Sequence, residues 1–397
     1  MSQPSHSSLS SKSLPASINP NPYTPPNANS NSHSNAPLRI AINGFGRIGR
    51  NVVRALIERQ MVFDQPLLGN TVELVAINDI ADADTLLHLL KFDSTHGRLS
   101  RLGVNAHIET HSDKTNQSLV LTLGEQTHRI TIFKEPNPQT LPWAKLGIDV
   151  VLECTGLFRS YMGASTHLQA GAKQVIVGAA PFDAVDACIV MGVNNAELTR
   201  ELPIISSVSC TTQALVPLIH VLDTAFGAKS VLMTEIHAVT ADQNVLDQPH
   251  RDLRRARASG HNIIPTPSSS IAATIRTLPH MAGRINGHSL RVPTLDVAAI
   301  DVNFLFEQSP NVNEVRACLL DACQTNRPLF GIMGFTDEPL VSSDFVHRPE
   351  SLIIDGSQIM QTGEMADSKQ TKVFAWYDNE WGYANRLVDM CIKLASV

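Results

Sequence analysis

Six cysteines occur among 397 residues, yet none stands in a CxxC or CxxH spacing. Zinc and dithiol redox chemistry therefore lack a ligand pattern. Scattered thiols of this kind suggest a reducing compartment, here the cytoplasm, with most of them inert core residues. Positive charge is also short: 31 Lys and Arg face 37 Asp and Glu, a formal net charge of -6, which argues against a general nucleic-acid binder. No uninterrupted apolar run is long enough to span a bilayer, so no membrane partner is expected. What is present, 43% apolar and 17% charged residues, fits a soluble globular enzyme, and the length implies two domains.

Residues 1–37 are nearly all Ser, Asn and Pro and cannot bury enough apolar surface to order themselves. The stretch has no apolar centre of the secretory type; it is acid-free and Ser-rich, as transit peptides are, but contains no Arg. It is read as a disordered tail.

From Leu38 the string LRIAINGFGRIGRNVVRALIER gives an apolar strand, then Gly44-x-Gly46-x-x-Gly49, then a helix with apolar spacing. A glycine loop between a strand and a helix is the context that marks dinucleotide binding. Its glycines permit the tight turn, close approach to a pyrophosphate and helix-on-strand packing, while the helix start offers N–H groups to phosphate. The next strand, VELVAIND, ends on Asp79, placed to bond a ribose 2′-OH, which favours NAD over NADP; an ordinary strand-terminal turn is the other reading. The interval from Gly49 to Asp79 is long for this motif, and the loop MVFDQPLLGN accounts for the excess. IDVVLECTG and AGAKQVIVGAA are further apolar strands with small residues at their ends, making Thr155 and Gly156 either cofactor contacts or turn residues. Strands alternating with helices imply a parallel sheet covered on both faces.

In SSVSCTTQA a single cysteine, Cys210, lies among short hydroxyl side chains after the strand PIISSVSCTT. Either this is a capped loop before a helix, or it is a nucleophile at a helix N-terminus, where backbone N–H groups and the macrodipole favour a thiolate. Ligands collect at the carboxyl ends of such strands, so Cys210 is expected to face the nicotinamide. His237, in KSVLMTEIHAVTADQN, is a structural strand residue or the imidazole partner that a catalytic thiol needs. Arg291, within RVPT, would suit a phosphate because its fork bonds two oxygens at once. Arg251, Arg254, Arg255 and Arg257 form a cluster without the interleaved aromatics of a single-strand nucleic-acid binder, and read as a solvated face or interface.

The strings NGFGRIGR, SCTT, MTEIHAVT, DLRRARA, RVPT, LVSSDF and WYDNEWGYANR, in this order, resemble those of glyceraldehyde-3-phosphate dehydrogenases and of the sister erythrose-4-phosphate dehydrogenases, from Leu38 to the C-terminus. The resemblance implies an α/β chain: a Rossmann-type parallel-sheet domain over 38–209, completed by the C-terminal helix 379–397, and an α+β catalytic domain with a mixed sheet over 210–378. It implies Cys210 as nucleophile and His237 as general base. Arg47, Ile48, Asp79, Asn379 and Tyr383 join the glycines as NAD contacts. Ser209, Thr211, Thr240, Ser268, Ser269 and Arg291 would hold the substrate phosphate or the attacking phosphate. Residues 240–265 look like the family's S-shaped loop, which reaches a neighbouring subunit in a homotetramer.

The implied activity is NAD-dependent oxidative phosphorylation of D-glyceraldehyde 3-phosphate by inorganic phosphate to 1,3-bisphosphoglycerate, through a thiohemiacetal and a thioester. The alternative is oxidation of D-erythrose 4-phosphate to 4-phosphoerythronate, and a third reading is a non-catalytic binding homologue. Departures from the glyceraldehyde pattern are Gln213-Ala214 after SCTT, and TPSSSIAAT in the anion loop, where Ser269 replaces a glycine and lacks its freedom at positive φ. ADADTLLHLLKFDSTHGR and LPWAKLGIDVVLECTG are similar to the erythrose enzymes; YDNEWGY and EPLVSSDF are similar to the glyceraldehyde enzymes.

Overall fold

A computed structural model describes residues 36–62, 72–110, 117–362 and 370–397. The tail expected over 1–37 lies outside the described residues except for its last two, and most of the loop MVFDQPLLGN lies outside them as well.

Two large sheets organise the described residues. The first contains β1 (Leu38–Asn43), β2 (Val72–Asn78), β5 (Val104–Thr110), β6 (Gln117–Leu123), β7 (Gln126–Phe133), β8 (Val150–Glu153), β9 (Gln174–Val177), β10 (Ala187–Cys188) and β11 (Ile204–Ser206). The short pair β3 (Phe92–Asp93) and β4 (Gly97–Arg98) stands apart. Spatial order is β10-β11-β9-β8-β1-β2-β7-β6-β5. Neighbours from β10 through to β7 run parallel. The parallel sheet expected from the alternating pattern is present across these strands, and at one edge β5, β6 and β7 add an antiparallel meander. Its tight turn between β6 and β7 passes through Gly124 at φ 57. Central strands of a parallel sheet are covered on both faces, which is why Ile40, Ala41 and Ile42 are consecutive, apolar and buried.

Helix α1 (Arg47–Val62) follows β1, and α2 (Ala83–Lys91) follows β2. Later come α3 (Tyr161–Gln169) and α4 (Cys210–Phe226). The second sheet follows: β12 (Ala228–Ala238), β13 (Ile264–Thr266), β14 (Ile285–Val292), β15 (Ala298–Phe306), β16 (Met333–Thr336), β17 (Leu352–Asp355), β18 (Met360–Gln361) and β19 (Gln370–Tyr377). Its order, β13-β14-β12-β15-β19-β17-β16, mixes parallel β12/β14 and β16/β17 with antiparallel neighbours.

The last helix, α5 (Trp381–Ala395), returns to pack on α1. There the buried Arg59 guanidinium bonds Asp389 at 2.7 Å and Asn385 Oδ1 at 2.9 Å, and Arg386 also reaches Asp389 at 2.7 Å. Buried charges of this kind are tolerated because every one has a partner.

Two local features aim the chemistry. Along β12, Val231, Met233, Glu235 and His237 share one buried face, as a period of two requires, so the core-facing row ends in two titratable side chains. Before α4, Val208 sits at φ 49 although fully buried, a strained conformation for a β-branched residue. It is held by a bond from its N–H to Ser206 Oγ at 2.9 Å and by the Tyr383 hydroxyl, which donates to its carbonyl at 2.9 Å.

Candidate active site

The glycine loop divides its roles as its spacing predicts. Gly44 has φ 92, and a Cβ there would lie 2.6 Å from the Thr155 backbone nitrogen. A Cβ on Gly49 would lie 2.3 Å from the Gly44 carbonyl oxygen, whereas one on Gly46 would meet nothing within 4 Å. Gly46 therefore opens onto a cavity of about 300 Å³ that is also lined by Asp79, Thr155, Ile80 and Leu157. The Asp79 carboxylate accepts the Phe45 N–H at 2.7 Å and the Ala81 N–H at 2.9 Å, which fixes it at the cavity mouth. Ile80 and Leu157, 69% and 74% exposed, offer apolar surface to a flat ring.

A dinucleotide fits this set, and one orphaned atom supports the fit. Asn379 is buried with its Oδ1 lacking a donor among the described residues, the partner a carboxamide N–H₂ would supply. Thr155 bonds the buried Glu153 through its N–H, at 2.8 Å, and its hydroxyl, and Gly156 takes φ 74, so this pair shapes the turn while lining the cleft. Arg47 is bound to Asp93 and Glu380, and Ile48 packs against the core. Tyr383 is buried with its hydroxyl committed to Val208, which makes it a brace for the loop before Cys210.

Cys210 is the first residue of α4, capped by Ser209, whose Oγ accepts the Thr212 N–H at 3.1 Å. Its Sγ lies 3.5 Å from His237 Nε2. The other ring nitrogen, Nδ1, is 2.7 Å from the Ala238 carbonyl, so Nδ1 carries the proton and Nε2 presents its lone pair to the thiol. Burial, and then Arg291, lowers His237 to about 4, which keeps the ring neutral. Burial, and then the Glu235 carboxylate, pushes Cys210 up to about 12. Burial and the Glu235 carboxylate thus act against the thiolate expected from the helix N-terminus. Desolvation and a buried like charge outweigh a half-charge dipole at the helix end.

The parallel register β12/β14 sets Arg291 directly beside His237. Its Nε has no acceptor among the described residues, leaving donor capacity for an anion. Glu235, which no sequence motif singles out, sits at the centre of the expected phosphate ligands. Thr211 Oγ1 donates to it at 2.8 Å, Ser268 Oγ at 2.6 Å and Arg291 Nη1 at 3.4 Å. Thr240 Oγ1 donates instead to Gln243 at 2.8 Å. Ser269 stands before the helix at 270–277 with φ -75, so the loss of a glycine there brings no strain, contrary to expectation. Gln213 is a buried cross-brace, donating to the Ile189 and Ser207 carbonyls at 2.9 and 3.1 Å. Within 240–265, Arg255 pairs with Asp242 and Arg257 with Asp247, while Val245, Leu246 and Leu253 stand exposed.

Residues 38–161 match the family described as glyceraldehyde 3-phosphate dehydrogenase, NAD binding domain, and residues 209–379 match that of its C-terminal domain. Among similar proteins is a glyceraldehyde-3-phosphate dehydrogenase of Xanthobacter flavus, 40% identical over 91% of this chain and 99% of its own length. Enzymes of that name from Cereibacter sphaeroides and Zymomonas mobilis are 42% and 38% identical, each over 90% of this chain and 98% of its own length. With a glycine cradle for NAD and a thiol set against an imidazole, the chain belongs to the glyceraldehyde 3-phosphate dehydrogenase family of NAD-dependent oxidoreductases.

Proposed function

We propose that this chain oxidises D-glyceraldehyde 3-phosphate with NAD through covalent catalysis at Cys210. The observation that carries the reading is the 3.5 Å Cys210–His237 contact with Nδ1 held by a backbone carbonyl. His237 Nε2 takes the thiol proton as sulfur attacks the aldehyde carbon, giving a thiohemiacetal. Arg291 holds the substrate phosphate, and the Cys210 backbone N–H at the start of α4 donates to the developing oxyanion. NAD, held by Gly44, Gly46, Gly49, Asp79 and Asn379, supplies the hydride acceptor when bound. The oxidised adduct on Cys210 is a thioester, and its discharge to an acyl acceptor frees the thiol.

The departures in the anion loop favour D-erythrose 4-phosphate as a second substrate to test. Initial rates of NADH formation on both aldehydes compare the two, and Cys210→Ser is expected to lose at least about 10³-fold in rate, because a hydroxyl is far less acidic than a thiol. Near-normal turnover of that variant would refute the covalent route. The exposed Val245, Leu246 and Leu253 support assembly into a homotetramer through the 240–265 loop, to be checked by light scattering. No described helix is long and apolar enough to cross a membrane, and we place the enzyme in the cytoplasm.

A further inference from the structure

The register of the second sheet brings two carboxyl groups together outside the site built on Cys210. β15 and β19 pair antiparallel with Ala298 opposite Tyr377, so Asp296, just before β15, and Asp378, just after β19, come to the same end. His96, in the turn between β3 and β4, reaches them from the dinucleotide-binding half of the chain. Its side chain is fully buried, and one atom from each of His96, Asp296 and Asp378 lies within 4.8 Å of the other two.

Two observations show that this cluster is short of positive charge. Asp296 is only 6% exposed, and neither of its carboxylate oxygens has a donor among the described residues. The Asp378 carboxylate accepts the N–H groups of His347, Glu380 and Trp381, at 2.6, 2.9 and 2.6 Å, and has no proton to give its neighbour. The Arg47 guanidinium is committed to Asp93 and Glu380. The second observation is a row of polar contacts. Glu58 faces His347 Nε2 at 2.9 Å, His347 Nδ1 faces His96 Nδ1 at 3.1 Å, and His96 Nε2 faces Glu380 Oε2 at 3.3 Å. Three gaps need three protons, whereas two neutral imidazoles carry two. A third proton or a cation must supply the missing charge.

We propose that His96, Asp296 and Asp378 bind one divalent first-row transition cation, which ties the β3/β4 hairpin to the second sheet. One imidazole nitrogen and two carboxylate oxygens suit such an ion, with water completing its coordination. Calcium and magnesium match less well, because their sites are built from oxygen. Three atoms at most 4.8 Å apart leave a point within about 2.8 Å of each, so a contraction of about 0.6 Å reaches coordination distance. Asp378 is already oriented by its three backbone donors. The ligands stand far apart in the sequence, which is why no spacing announces them. With no cation present, a proton held on Asp296 relieves the same repulsion.

The probe is Mn²⁺, whose preference for oxygen ligands over thiolate keeps it off Cys210. The full-length enzyme, treated with chelator, is titrated with Mn²⁺ while electron paramagnetic resonance counts the free ion. The expected result is one ion per chain with a Kd below about 1 mM, and spin-echo modulation from one imidazole nitrogen. Asp296→Asn and His96→Gln should each weaken binding by about tenfold or more, and His96→Gln should also erase the nitrogen signal. Cys210→Ser should bind the ion as the wild type does. At a hundredfold excess over Kd the ion should raise the wild-type Tm by at least about 2 °C and leave Asp296→Asn unmoved. Circular dichroism in chelator checks that each variant keeps its fold, and the wild-type nitrogen signal stands without any variant. No saturable binding below about 1 mM would mean that a proton alone supplies the charge, and would overturn the proposal. So would a bound ion with no imidazole nitrogen, binding unchanged in Asp296→Asn, or binding lost in Cys210→Ser.

Discussion

Replacing His237 by asparagine should expose how Cys210 is ionised. Burial, and then Glu235, push the thiol up to about 12, so a preformed thiolate is disfavoured at pH 7. The wild-type enzyme avoids that penalty because Nε2, 3.5 Å from the sulfur, removes the proton during attack. A carboxamide in its place would offer no base. The rate of acylation should then fall by about 10²–10⁴-fold, the usual worth of a positioned general base. The shape of the pH profile is the sharper readout. His237, lowered to about 4, is already in its base form well below neutrality, so wild-type kcat/KM should be flat from pH 6 to 9 and fall only as pH drops toward 4. In the variant, attack waits for solvent to ionise the thiol, and kcat/KM should climb about tenfold per pH step over the same range. The assay is NADH formation at low aldehyde concentration, with circular dichroism to confirm folding. A variant within threefold of wild type, or one that loses rate yet keeps a flat profile, would refute the reasoning.

Other perturbations test separate parts of the molecule. Asp79→Ala removes a carboxylate at the cofactor cleft that would repel a 2′-phosphate, and should shift the NAD-to-NADP preference toward NADP by about 10-fold or more in kcat/KM; an unchanged ratio would place the ribose elsewhere. Asp389→Asn leaves Arg59 and Arg386 beside an uncharged partner in a buried cluster, and should cost about 3–5 kcal/mol in denaturant unfolding; less than about 1 kcal/mol would mean the charges are solvated. Burial, and then Asp378, raise Asp296 to about 9, above its unfolded value, so the native state keeps a proton that the unfolded chain loses. Its destabilisation is absent below about pH 4 and grows as pH rises toward 9. Asp296→Asn should therefore raise Tm more at pH 8 than at pH 5, and an equal gain at both would contradict the assignment.

Much of this arrangement is legible because local chemistry and spacing carry it. The glycine loop announces itself by standing between an apolar strand and a helix; Gly44 and Gly49 are closely approached by backbone, while Gly46 opens onto the cavity. Cys210 and His237 are reachable through the order of several strings, and the structure brings them to 3.5 Å. The antiparallel edge is also present in the sequence, as Gly124-Glu125 between two alternating segments, a hairpin signal that the surrounding strand–helix alternation masks. Glu235 is harder. A period of two along β12 puts it on the face of His237, which is knowable, but its partners Thr211, Ser268 and Arg291 come from other elements, and only tertiary packing brings them together. The ionisation of Cys210 escapes the sequence for the same reason. A helix start is visible in a sequence, whereas the burial and the neighbouring carboxylate that outweigh it are not.

The central claim, that the oxidised substrate is carried on the Cys210 sulfur, is tested most directly by rapid acid quench of enzyme mixed with NAD and glyceraldehyde 3-phosphate, followed by mass spectrometry of the peptide containing Cys210. The account predicts a phosphoglyceroyl adduct on Cys210 that forms at least as fast as NADH appears in the first turnover and is absent in Cys210→Ser. NADH appearing over a full turnover with Cys210 unmodified at every quench time, or an adduct on a different residue, would contradict it.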